Sequence, residues 1–194
     1  MHLLDKFKYC PACGSSHFNI NGIRSKCCDD CGFTFYLNAS ASTAAFIINE
    51  KGELLVGRRT FEPAKGTLDL PGGFVDPGES ITDGMLREIK EEIGTEGIIK
   101  RFLFSLPNFY EYSGFTVPTT DAFFEVSLKD ESMIAPNDDC SDLMWIPLDE
   151  VDPSKFGLDS ISRAIEKYKN STIDFESHSN NMHRAGGNIG HGGI

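Results

Sequence analysis

Between Gly73 and Thr95 the chain reads GFVDPGESITDGMLREIKEEIGT, and Leu70, Pro71 and Gly72 lead into it. Ser80, with Asp83 three positions on, has the form of a capping box, and Gly94 is a stop signal. Between them Ile81, Met85, Leu86, Ile89 and Ile93 recur at helical spacing, so the stretch predicts an amphipathic helix entered from a Gly-rich turn. At 3.6 residues per turn, Glu88, Glu91 and Glu92 fall within an arc of roughly 100° beside the apolar stripe. Three carboxylates therefore project together from a helix that is pinned by its other side.

Like charges three and four apart disfavour a helix by a few tenths of a kcal/mol per pair, and only Arg87 and Lys90 stand beside them. A divalent cation is the natural neutraliser. Acidic clusters are more often solvated faces, and charge alone favours that reading. The adjoining turn reverses it, because glycines before a helix N-terminus leave backbone groups facing a ligand where phosphate oxygens are attracted. Phosphate-binding backbone next to hard-cation ligands points to metal-assisted chemistry on a phosphoryl group.

The stretch resembles the signature of the Nudix hydrolases, Gly-x5-Glu-x7-Arg-Glu-U-x-Glu-Glu-x-Gly-U with U aliphatic. Gly73, Glu79, Arg87, Glu88, Ile89, Glu91, Glu92 and Gly94 match, while Thr95 stands where an aliphatic residue is usual. The resemblance implies an α+β fold, a Nudix α/β/α sandwich with a mixed sheet, and Mg²⁺- or Mn²⁺-dependent hydrolysis of a diphosphate linkage. It implies that Glu88, Glu91 and Glu92, with the carbonyl of Gly72, hold the metal. By the same analogy Arg87 and Glu79 form an ion pair that fixes the loop on its helix. A further acidic ligand beyond the signature is usual in the family; Glu125 is the candidate, with Asp121 second. The general base falls to a signature glutamate or to Glu125.

The 194 residues suffice for one medium domain and a small module. A formal charge of −11 argues against general affinity for nucleic acid or anionic membrane. No N-terminal apolar segment has the form of a signal peptide and no run reaches the length of a membrane span, so a cytoplasmic protein is expected.

The small module is marked by Cys10-Pro11-Ala12-Cys13-Gly14 and Cys28-Asp29-Asp30-Cys31-Gly32. Two Cys-x-x-Cys knuckles, each closed by glycine, supply four thiolates for one tetrahedral Zn²⁺. Disulfides and a redox pair are the competing readings, disfavoured by the lack of an export signal and by the two matched knuckles. Cys27 reads as a bystander, and Cys140 as a buried or half-buried thiol. The expected division is a leader over 1–8, a zinc ribbon over 9–36, a Nudix domain over 37–169 and an unstructured tail over 170–194.

Thr43 to Ile48 and Glu53 to Arg58 read as strands joined in a hairpin by Asn49 to Gly52. Ile98 to Leu106 and Thr120 to Leu128 read as strands separated by a loop from Pro107 to Gly114, Trp145 as structural, and Leu158 to Tyr168 as a closing amphipathic helix. Arg58 is either a solvated strand end or a grip on diphosphate, with Arg59 beside it. Phe109 and Tyr110, and Phe35 and Tyr36 of the ribbon, are candidates to stack on a base.

A zinc ribbon ahead of a Nudix domain is similar to the NADH pyrophosphatase branch. That branch carries Ser-Gln-Pro-Trp-Pro-Phe-Pro-x-Ser, where this chain has Ser105-Leu106-Pro107-Asn108-Phe109-Tyr110. ADP-ribose therefore stands beside NAD(H)-like dinucleotides as the expected substrate, and the resemblance also implies a homodimer. The alternative is a non-hydrolytic nucleotide sensor or a nucleic-acid- or protein-binding zinc-ribbon protein; the complete set of carboxylates, and a ribbon in which Arg24 and Lys26 are balanced by Asp29 and Asp30, weigh against it.

Overall fold

Period-two alternation in three strands builds the fold. In the computed structural model, which describes residues 2–134 and 143–184, β4 (Ser40–Ile47), β5 (Glu53–Arg58) and β8 (Phe115–Leu128) each send successive side chains to opposite faces. Ala44, Phe46, Leu54, Val56 and Phe123 enter one core with Ile161, Ile165 and Tyr168 of the closing helix α2 (Asp159–Arg184). Ala45, Ile47, Leu55, Ala122, Phe124 and Val126 enter the other with Met85, Ile89 and Ile93 of α1 (Ile81–Ile93). Helices thus cover both faces of the strand layer, the sandwich expected, and the strand layer is mixed: β4 runs parallel to β8, while β7 (Gly97–Tyr112) pairs antiparallel with the other side of β8. A second sheet has the order β6 (Leu68–Asp69), β5, β9 (Met144–Pro147). Trp145 packs in the α1-side core.

The turn at 49–52 forms as expected, with Asn49 donating to Glu53 and Gly52 to Asn49, each at 3.0 Å. The hairpin does not continue from it. A single bridge, Ile48 to Leu54, joins the arms, after which β4 and β5 enter different sheets. Both strands are buried on both faces, and such strands are free to find partners far away in sequence.

The loop expected over Pro107 to Gly114 is strand. β7 continues to Tyr112 and turns at Ser113 and Gly114, whose φ values of 50° and 67° suit a two-residue hairpin. Pro107 is tolerated because β7 lies at the sheet edge, where a missing N–H leaves no ladder bond unmade. The closing helix likewise exceeds expectation. It runs to Arg184, so much of the segment from 170 expected to lack structure is helical; no glycine or proline interrupts the sequence between Asp159 and Arg184. Cys140 and residues 185–194 lie outside the described residues.

The ribbon strands β1 (Phe18–Ile20), β2 (Ser25–Cys28) and β3 (Thr34–Tyr36) form their own antiparallel sheet. The leader packs onto it: Leu4 is fully buried, and the Phe7 ring stacks on Phe35 and meets Phe115 edge-on, tying the ribbon to the tip of the β7–β8 hairpin. Among the described residues no helix is long and apolar enough to cross a membrane.

Candidate active site

The helix that carries the carboxylates is built as its sequence indicates. Ser80 and Asp83 make the reciprocal capping box, and Gly94 closes the helix with φ 87°. Met85, Ile89 and Ile93 are fully buried, whereas Ile81 and Leu86 of the same stripe lie at its exposed margin. Arg87 emerges beside this face and uses all five guanidinium donors. Nε and Nη2 reach Glu79 at 2.8 and 3.1 Å, Nη1 reaches Glu88 at 2.8 Å and Glu91 at 3.0 Å, and Nη2 also holds the Phe74 carbonyl at 2.9 Å. The Arg87–Glu79 pair thus clamps the turn to the helix, and it draws the Glu79 carboxyl below its ordinary range. Burial pushes Glu88 up against the opposing pull of Arg87.

The turn preceding α1 lies against β4. The carbonyls of Pro71 and Gly73 accept amides of Ala45 and Thr43, both at 2.8 Å, and the Gly72 amide donates to Glu92 Oε2 at 2.9 Å. Glycine is required here for two reasons. Gly72 has φ 147°, and a Cβ on it would sit 2.1 Å from the Thr43 carbonyl oxygen; a Cβ on Gly73 would lie 2.6 Å from the Glu88 carboxylate. The backbone is thereby brought against Glu88 and Glu92, and both carboxylates line one cavity with Gly72 and Gly73. Glu91 is turned to Arg87 with its side chain 58% exposed. The oxygen-only donor set of Glu88, Glu92 and backbone fits a hard divalent cation. Gly72→Ala is expected to lower stability by on the order of 3 kcal/mol, read as a fall in the urea midpoint; an unchanged midpoint would show that the turn relaxes freely.

The cavity, of about 390 Å³, extends away from α1 over the β4–β8–β7 face. Several residues expected in it lie elsewhere. Glu125 is held by Arg101 at 2.7 and 2.9 Å, and the second candidate, Asp121, lines the cavity instead. Four residues separate the two on one strand, about 13 Å, so only one can face the site. Arg58 donates to the Gly66 carbonyl at 2.7 Å, whereas Arg59 lines the cavity, held by Asp69, by the Pro63 carbonyl at 2.8 Å and by the Tyr110 hydroxyl at 3.2 Å. Tyr110 lines it too, edge-on to Phe74, but Phe109 points out on the alternate face and is 66% exposed. Phe35 is occupied with Phe7 in the ribbon core, and Tyr36 lies under Arg24. Ser42, Thr43, Asn108 and Thr119 also line the cavity and escape sequence reasoning. Their signal was alternation: once β7 is extended to Tyr112, Asn108 and Tyr110 share one face.

The four cysteines converge. Their sulfurs all lie within 4.8 Å of one another, with Cys10 to Cys31 at 3.7 Å and Cys13 to Cys28 at 3.6 Å. A tetrahedron with Zn–S arms of about 2.3 Å has edges of about 3.8 Å, so the sulfurs stand at the spacing zinc requires. Amides of Gly14 and Gly32 close the two knuckles onto the carbonyls of Cys10 and Cys28 at 2.8 and 2.9 Å. Burial pushes the Cys28 thiol up, but the amides of Cys31 and Asp30 and the Cys13 thiol draw it down to about 7. Cys27 stays outside the group, accepting from the Thr34 hydroxyl at 3.4 Å.

The NUDIX domain model matches residues 39–166. The chain is 25% identical over 167 residues to the NAD-capped RNA hydrolase NudC of Stutzerimonas stutzeri (strain A1501), covering 85% of this chain and 57% of that protein. It is 37% identical over 71 residues to the ADP-ribose pyrophosphatase of Methanocaldococcus jannaschii, covering 37% of this chain and 41% of that one. The chain thus spans less than two thirds of the length of these relatives. A NUDIX hydrolase structure from Nitrosomonas europaea superposes with a TM-score of 0.66 at 19% identity, over 83% of this chain and 89% of the other, a likeness of fold. With the signature clamp intact and two thirds of its length matched, the chain belongs to the NUDIX domain family.

Proposed function

We propose that the protein is a divalent-metal-dependent pyrophosphohydrolase acting on a nucleoside diphosphate linked to a second group, of the ADP-ribose or NAD(H) kind. The observation that carries this reading is the pair Glu88 and Glu92 facing one cavity against the Gly72–Gly73 turn. Mg²⁺ or Mn²⁺ bound there would neutralise charge on the diphosphate and acidify a water. Glu88, Glu92 and the Gly72 carbonyl would hold the ion, with Glu91 available once Arg87 releases it. Arg87 and Glu79 position the turn. Water oxygen adds to one phosphorus, the bridging P–O bond breaks, and the products are a nucleoside monophosphate and a phosphorylated remainder. The water's proton passes to a signature carboxylate, since Glu125 is engaged by Arg101.

Small nucleotides suit a cavity of about 390 Å³. The relative named for NAD-capped RNA keeps an RNA 5′ end among the candidate substrates, because a cap presents the same linked diphosphate. Contacts to RNA phosphates along the ribbon find little support: Lys26 is buried, donates to the Phe7 carbonyl at 2.5 Å and lies over the Phe18 ring. We place Zn²⁺ at the four cysteines. The test is a nucleotide-product assay over ADP-ribose, NADH, NAD⁺ and NAD-capped RNA with Mg²⁺. Release of a nucleoside monophosphate is expected; hydrolysis of none, with one nucleotide tightly retained, would favour a sensor.

A further inference from the structure

The cavity also carries polar groups that the hydrolytic chemistry does not use. Asn108 is 8% exposed and lines the cavity, and among the described residues nothing pairs with its carboxamide. The carboxamide opens onto the cavity, so its donor and acceptor are available to whatever fills it. The Thr43 hydroxyl, also buried and cavity-lining, is likewise without a partner. Beside Asn108, across its directly paired residue Thr119, stands Asp121, 6% exposed. Its carboxylate accepts from Thr119 at 2.5 Å, from Ser160 at 2.5 Å and from Ser42. Three of roughly four acceptor positions are filled, so the one left asks for a donor.

Around these groups the walls are flat and apolar. Tyr110 presents its ring from β7, edge-on to Phe74 at 5.5 Å, and Leu158 and Ile161 close the opposite side. A planar ligand with hydrogen-bonding groups on one edge meets all of these demands. A carboxamide offers one donor and one acceptor side by side, the complement of an exocyclic amino group next to a ring nitrogen. A carbonyl in place of that amino group would face the acceptor-only Asp121, and two acceptors repel.

We infer that Asn108 is the base-selecting residue of this site, its carboxamide reading the amino edge of adenine or cytosine and Asp121 rejecting the keto edge of guanine or uracil. This deepens the hydrolase reading and rests on it only in taking the cavity as the substrate site. The test is calorimetric titration of the full chain with AMP, CMP, GMP and UMP. AMP and CMP are expected to bind about tenfold or more tighter than GMP and UMP. Asn108→Leu should cut the preference for AMP and CMP several-fold, leaving the part that Asp121 imposes, and Asn108→Asp, nearly isosteric but without the N–H donor, should weaken AMP and CMP selectively. Melting temperatures of both variants report whether they fold. Equal binding of the four by the wild type, or an undiminished preference in either folded variant, overturns the inference. Failure of the hydrolase reading looks different: an Asn108-dependent order of binding with no diphosphate hydrolysed sinks that reading alone, and hydrolysis indifferent to the base sinks this one alone.

Discussion

Glu92→Gln is expected to lower turnover about 10²–10³-fold while leaving the melting temperature within a few degrees of wild type. The two halves of that expectation come from the same hydrogen bond. Glu92 Oε2 accepts the Gly72 amide at 2.9 Å, and a glutamine carbonyl oxygen accepts it equally well, so the turn keeps its place against the helix. What disappears is one of the two negative charges that α1 turns to the cavity, and the other, on Glu88, is also paired with Arg87. A divalent cation would then lose one of its helix carboxylates, and affinity for Mg²⁺ should fall with turnover. Glu125→Gln serves as the matched control, since Glu125 pairs with Arg101 away from the cavity, and its turnover should stay within a few-fold of wild type. Steady-state kinetics over a Mg²⁺ series separates the cases. Near-normal turnover of Glu92→Gln, or a collapse in Glu125→Gln, would overturn the assignment of the site.

The helix and its clamp were legible because every interaction that builds them is local. Ser80 with Asp83, Gly94, and Glu79 with Arg87 are separated by at most eight residues, and the carboxylates sit within two turns. The cysteine centre was legible for a different reason, since only one arrangement satisfies two matched knuckles. What escaped depends on long-range pairing. Nothing near Asn49 says that β4 will pair with β8, some eighty residues on, in preference to β5. Pro107 and the polar run after it resemble a loop until the edge position of β7 is known, and that misreading hid Asn108. Arg58 and Arg59 point to opposite faces of one strand end, so assigning the wrong one follows from an error of a single residue. Glu125 and Asp121 share a face of β8, so which of them reaches the cavity depends on where along the strand the site falls.

Removing metal from the cysteine centre, by a strong chelator or by Cys28→Ser, is expected to unfold β1–β3 while the two sandwich cores persist. The ribbon's own core consists of Cys10, Phe18 and Cys28 with Phe35 packed against it, and two of those three buried residues are themselves sulfur donors. Burial of one phenylalanine gives about 1.5–3 kcal/mol, far below the ordering entropy of nearly thirty residues. Zinc at four thiolates would supply about 10–16 kcal/mol, several times what that burial gives, so the ribbon depends on the metal more than on its core. The two halves of the chain are distinguishable because the sandwich holds its own clusters around Phe46 and Ile89, fully buried and independent of the ribbon. Hydrogen exchange should show protection lost in β1–β3 on chelation and retained in α1 and β8, with one metal released per chain. Release should also propagate one step further. Phe7 is held between Phe35 and Phe115, so losing the ribbon frees the tip of the β7–β8 hairpin, and amides near Ser113 should exchange faster as well. Unchanged protection of β1–β3 in chelated protein would mean that hydrophobic contacts of the leader, through the buried Leu4, hold the ribbon without metal.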